Sequence, residues 1–335
     1  MQQHGGNITA FAKEIGCDPL EVIDLSSNIN FGRPTLDIDF NSLDISAYPN
    51  YDELYTAIAS LYNVSSTNIE LYNGATSAIH TLFRELSLKH VTLYAPLYGE
   101  YQHAALSHGY EIEIINRLDQ MDHEIQENSL VVFVNPSTPD GRFYALDKLM
   151  HRWIEKNATI LIDESFLDFT IFASTTKYLN YDKLYILKSM TKFYSSAGIR
   201  IGALLSNEEN IAQLKQKEPL WKISEFDSQY LQSALRDINF PHTARAINQK
   251  HRKELITLLE QSTVIQKVYP STANFVLVKL FNIKAAAFQE ALKPYKIMVR
   301  NCANFQGLDD SFVRIAVKNK NALNRLKEAL CKISI

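Results

Sequence analysis

The stretch "LYILKSMTKFYSSAGIRIG", residues 184–202, joins an apolar run to a lysine set among hydroxyls, with an arginine eight residues further on. The run reads as a short buried strand. Its end delivers Lys192, flanked by Ser189, Thr191, Ser195 and Ser196, and then Arg200. A solvated surface lysine needs no such surroundings. A lysine that bonds covalently to a phosphorylated cofactor does.

Upstream, "LIDESF" places Asp163 at the C-terminal end of another apolar strand, 29 residues before Lys192. In parallel sheets this is the end where ligands bind. Taken singly, a strand-end aspartate is usually a helix cap and a lysine in a polar loop is usually solvated. Together they supply what a pyridoxal phosphate site requires: an amine for the Schiff base and a carboxylate for the pyridinium nitrogen. Ser189, Thr191 and Arg200 add hydroxyls and a cation for the phosphate. "LYNGATSAIHTLFREL" runs from a strand into Gly74, Ala75 and Thr76 and then an amphipathic helix, and the free N–H groups of such a start bind anions. "LYAPLYGEY" puts Tyr98 just after a strand, where an aromatic can lie against a cofactor ring.

Around these segments, apolar runs alternate with helical patterns. Residues 90–96, 110–117, 129–136, 158–166, 182–189 and 201–206 read as short buried strands, and 145–156 as an amphipathic helix. Leu54, Ile58 and Leu61 recur at helical spacing. The alternation predicts an α/β fold with a doubly wound sheet. A long helical pattern from about Asp227 to Ser262 is broken by Pro241. "NFVLVKL", a helix near 284–293, "KIMVRNC", "SFVRIAV" and a helix from Lys320 form a smaller α/β part. The expected division is a large cofactor-binding domain over 41–225 and a small domain from 1–40 and 226–335.

The 335 residues carry 34 Lys and Arg against 37 Asp and Glu, a net charge of −3, which gives no electrostatic case for nucleic acid or an anionic membrane. Cys17, Cys302 and Cys331 are odd in number and far apart, which fits reduced thiols. No apolar stretch reaches the ~20 residues of a membrane span, and the N-terminus has no signal-peptide core. A soluble cytoplasmic protein is expected.

With these motifs assembled, the whole chain resembles the fold-type I pyridoxal phosphate enzymes of the aspartate aminotransferase superfamily, in the branch of histidinol-phosphate aminotransferase and threonine-phosphate decarboxylase. The opening "HGGN" with "DLSSNINFG" (24–32), and "VRNCANFQGL" (299–308), resemble the decarboxylase side of that branch. The resemblance implies that Lys192 forms the Schiff base and Asp163 partners the pyridine nitrogen. It implies further that Tyr98 stacks on the ring, and that Ala75, Thr76, Ser189, Thr191 and Arg200 form the phosphate cup. Tyr48, in "AYPN", resembles the tyrosine that reaches the neighbouring subunit's cofactor phosphate, which implies a homodimer. Arg314 resembles the arginine that binds the substrate carboxylate, and His4, Gly6, Asn28 and Arg300 fall where the decarboxylase branch contacts a phosphorylated substrate.

There are departures. In "NPSTPDG", Thr138 stands where the family places an asparagine that donates to the cofactor's 3′-oxygen. Phe166 replaces a tyrosine usual in transaminases, and 219–231 lacks the usual Ser/Asn pattern after its tryptophan. The resemblance implies pyridoxal phosphate as cofactor and decarboxylation of O-phospho-L-threonine or O-phospho-L-serine for the nucleotide loop of cobamides. An aminotransferase acting on histidinol phosphate or an aromatic substrate is the alternative. A regulatory protein that keeps the fold is a third, although its usual helix-turn-helix attachment has no room in this sequence.

Overall fold

The computed structural model describes residues 5–333. The chain begins with α1 (Ile8–Ile15), β1 (Ile23–Leu25), α2 (Asp52–Tyr62), β2 (Ile69–Asn73), α3 (Gly74–Glu85), β3 (His90–Ala95), α4 (Glu100–Ser107) and β4 (Glu111–Asn116). It continues through β5 (Leu130–Val134), α5 (Asp147–Glu155), β6 (Thr159–Asp163), β7 (Leu184–Ser189), the single turn α6 (Met190–Phe193), β8 (Ile201–Leu205) and α7 (Glu208–Lys215). The last part holds α8 (Glu225–Arg236), α9 (Phe240–Glu260), β9 (Ile265–Val268), β10 (Phe275–Leu280), α10 (Ala285–Leu292), β11 (Ile297–Asn301), β12 (Phe312–Ala316) and α11 (Lys320–Leu330).

Seven strands form one sheet in the order β2-β8-β7-β6-β5-β3-β4, and five form a second in the order β1-β11-β12-β10-β9. In the larger sheet only β8 runs against its neighbours, pairing antiparallel with both β2 and β7. Its central strands β5, β6 and β7 are buried along their whole length and mostly apolar because both faces are covered, as expected for a parallel sheet under helices. Side chains alternate by strand geometry: Ile160 and Ile162 of β6 enter one apolar cluster with Trp153 and Phe133. Leu161 enters the cluster on the other face with Leu82 and Tyr101. Each such buried aliphatic side chain contributes about 1.5–3 kcal/mol.

Several boundaries differ from the sequence reading for identifiable reasons. β5 stops at Val134 rather than 136, because Pro136 has no N–H to give to a ladder. In α2 the buried face is Leu54, Ile58 and Ala59, and Leu61 is exposed. The 227–262 pattern is two helices, with Pro241 in the first turn of α9, where a missing N–H costs nothing. The strands β1 and β9 escaped notice, being three and four residues long and only partly buried. The three cysteines are unpaired. Among the described residues no helix is long and apolar enough to cross a membrane.

Candidate active site

The topology concentrates chemistry at one edge of the large sheet. Gly74 follows β2, Tyr98 follows β3, Thr138 follows β5, Asp163 closes β6, and Ser189 closes β7. All are carboxyl ends of mutually parallel strands. Arg200 immediately precedes β8, and because β8 runs the other way its beginning lies at that same edge. The small sheet supplies Arg300 from β11 and Arg314 from β12, and the segment after β1 supplies Asn28. All of these but Gly74 line one cavity of about 430 Å³. Ala75, Thr76, Thr191, Lys192 and Gly6 also line it. Tyr48 does not, being 75 % exposed and stacked on Trp221 at 4.0 Å between ring centres. His4 lies outside the described residues.

Lys192 sits on the single turn after β7, and its Nζ donates to Ser189 Oγ at 3.3 Å. The amine lies 4.9 Å from the Phe166 ring centre. Burial pushes its pKa down from the ordinary lysine value, Arg200 and Arg314 push the same way, and Asp163 opposes them. Asp163 is buried and doubly held: the Tyr101 hydroxyl donates to Oδ2 at 2.7 Å and the Ser165 N–H to Oδ1 at 2.8 Å. Tyr101, Ser165 and Phe305 were missed by sequence reading. The Tyr98–Tyr101 spacing hints at one helix side, but the partner of Tyr101 lies 62 residues away.

The start of α3 forms a cradle. Gly74 has φ +77, which side-chain-bearing residues rarely adopt, and lets α3 begin directly on the last residue of β2. A Cβ there would come within 3.0 Å of Arg200 Cζ. A Cβ on Gly202 would lie 2.7 Å from Ala75 Cα, so β8 reaches the helix start only as glycine. The Ser189 and Thr191 hydroxyls lie 3.1 Å apart beside it. Free N–H groups, two hydroxyls and a guanidinium fit a phosphate monoester. With Asp163 and Lys192 in the same cavity, the residues fit pyridoxal phosphate.

The far wall is unusual. Arg300 and Arg314 are directly opposed across β11 and β12, and they are only 7 % and 8 % exposed. Like charges so placed repel. Among the described residues neither has an ion-pair partner. Arg314 donates to Thr138 Oγ1 at 3.0 Å and to the Ser26 carbonyl at 2.9 Å, while its Nε has no partner. Arg300 donates to the Asn301 carbonyl at 2.8 Å and to Asn304 Oδ1 at 2.8 Å, and its guanidinium lies 5.3 Å from the Phe305 ring centre. Burial, with Arg300 adding to it, pushes the Arg314 guanidinium down to about 10. Asn28 Oδ1 is also buried without a partner. The N-terminal segment is pinned nearby, the Gly6 N–H donating to Ser26 Oγ at 2.8 Å.

A mainly parallel sheet whose strand ends gather an amine, a carboxylate and an anion cradle defines a fold-type I pyridoxal phosphate enzyme. The sequence model "Aminotransferase class I and II" matches residues 22–330, and the chain belongs to that family, whose cofactor is pyridoxal 5′-phosphate. It is 28% identical to the adenosylcobalamin biosynthesis bifunctional protein of Leptospira interrogans, across 99% of this chain but 41% of that longer protein. It is 27% identical to the threonine-phosphate decarboxylase of Salmonella typhimurium, covering 98% of this chain and 95% of the relative. Among solved structures, the histidinol-phosphate aminotransferase of Clostridium acetobutylicum superposes with a TM-score of 0.83 at 31% identity, covering 91% of this chain and 97% of that one.

Proposed function

We propose that the protein removes carbon dioxide from an O-phospho-L-amino acid, O-phospho-L-threonine or O-phospho-L-serine, leaving an amino-alcohol phosphate. One observation carries the reading. The cavity presents four basic side chains, Lys192, Arg200, Arg300 and Arg314, against one carboxylate, Asp163, in a chain whose net charge is −3. A cofactor phosphate at Arg200 leaves the opposed arginines of the far wall for a substrate with two anionic groups.

Bound pyridoxal phosphate supplies an electron sink for a bond broken at the substrate Cα. This chain's own residues select the bond. Arg314 holds the substrate carboxylate and Arg300 the substrate phosphate, and two fixed ends orient Cα between them. Gly6, Asn28 and His4 complete the phosphate side. Ala75, Thr76, Ser189, Thr191 and Arg200 hold the cofactor phosphate. Asp163, kept in place by Tyr101, partners the ring nitrogen. Tyr98 lies against the ring, and Thr138, accepting from Arg314, keeps its own proton for the cofactor's 3′-oxygen. Lys192 Nζ returns a proton to Cα. The large domain spans 41–225, and 1–40 with 226–335 make the small one. The product suits the nucleotide loop of cobamides, which the Leptospira relative's name supports.

The Clostridium structure favours a second reading, amino transfer to or from a histidinol-phosphate-like substrate. Product analysis after incubation with each phospho-amino acid, with and without 2-oxoglutarate, separates the two. Carbon dioxide and an amino-alcohol phosphate formed without 2-oxoglutarate are expected. Glutamate formed only when 2-oxoglutarate is present would replace the decarboxylase reading with the second one.

A further inference from the structure

We propose that His80, Glu100 and His103 form a binding site for a divalent transition-metal ion, with Zn²⁺ the best fit, between α3 and α4. His80 lies in the second turn of α3, while Glu100 and His103 lie in the first turn of α4. None of the three lines the cofactor cavity. Glu100 and His103 are three residues apart, so the helix period places them on one face. The packing of α3 on α4 brings His80 to the same point.

The distances suit a metal. Glu100 Oε2 is 3.5 Å from His80 Nε2 and 3.4 Å from His103 Nδ1. All three ligand atoms fall within 4.8 Å of one another. Tetrahedral zinc, with bonds of about 2.0–2.1 Å, holds its ligand atoms roughly 3.3 Å apart. Both carboxylate–imidazole edges are therefore already near that separation. Only the edge between the imidazoles has to adjust, and His103, with its side chain 60% exposed, is free to rotate.

The chemistry narrows the ion. Two imidazole nitrogens with one carboxylate oxygen suit Zn²⁺ and its neighbours, whereas Ca²⁺ and Mg²⁺ require oxygen donors. A third imidazole, His108, lies 5.9 Å from the His80 ring centre. Three protein ligands leave a fourth position for water or for His108.

The ion would act on the cofactor cavity by holding two of its walls together. His80 is one turn beyond Thr76 on α3, and Glu100 is two residues beyond Tyr98. Thr76 and Tyr98 both line the cavity. A metal across the helices fixes the spacing between them. The rival is an ordinary cluster of surface ion pairs, in which Glu100 simply accepts from two histidines.

The holoenzyme, stripped of metal by chelator and dialysed, is titrated with Zn²⁺ by calorimetry and with Co²⁺ by visible absorption. One ion per chain is expected, with Co²⁺ giving the visible bands of a four-coordinate nitrogen–oxygen site. His103→Ala and Glu100→Gln each weaken binding by roughly tenfold or more, while His151→Ala, at an exposed histidine on α5, leaves it unchanged. Cofactor absorbance verifies that each variant is folded. Absence of a saturable site, or a site whose affinity survives either His103→Ala or Glu100→Gln, overturns the proposal.

Discussion

Lys192 is primed by its surroundings: burial disfavours its charged form first, and Arg200 and Arg314 second, against the pull of Asp163. A lowered lysine pKa means that the neutral, nucleophilic amine is reached at lower pH. The rate at which pyridoxal phosphate attaches to the apoenzyme should therefore rise with pH to a midpoint below the ordinary 10.5. Stopped-flow absorbance across pH measures this, and a midpoint at or above 10.5 would contradict it. Borohydride reduction and peptide mapping should place the pyridoxyl group on Lys192, and a label on any other lysine would end the assignment. Arg300 gives a sharper test because its structural effect and its proposed functional effect have opposite signs. Arg300→Ala removes one of two opposed like charges, so the melting temperature should hold or rise. At the same time kcat/KM for the phospho-amino acid should fall by roughly 2–4 kcal/mol. A variant that loses stability but not turnover would make Arg300 a structural residue.

The elements themselves were largely legible, since burial on both faces leaves runs such as "LVVFV" apolar from end to end. The helix boundaries needed more than periodicity, as the splitting of 227–262 into α8 and α9 shows. The decisive element is β8. Its reversed direction brings Arg200 to the edge where the other strands end, and Gly202 lets it run against the start of α3. Gly202→Ala should push α3 outward, costing about 1–3 kcal/mol of stability and weakening cofactor retention. Denaturant unfolding and cofactor titration would show both. An alanine variant as stable and as tightly loaded as the wild type would mean that the helix start has room to move.

Tyr48 and Trp221 stack on each other at the surface, with exposed Leu220 beside Trp221 in the chain, an apolar patch of the kind that marks a subunit contact. We propose that this patch joins two copies and that Tyr48 serves the partner's cofactor. Sedimentation of the holoenzyme should give a dimer, and a fully active monomer at assay concentration would refute it. By itself the sequence determined the α/β alternation and the order of Asp163, Lys192 and Arg200, because strand-end chemistry and hydrophobic period are properties of short contiguous segments. Its resemblance to the family also implied departures at Thr138 and Phe166. Only the tertiary structure decided that Tyr101 holds Asp163, that Arg300 faces Arg314, and that His80 meets Glu100 and His103. Those neighbours depend on strand register and helix packing between distant parts of the chain, which no local pattern encodes.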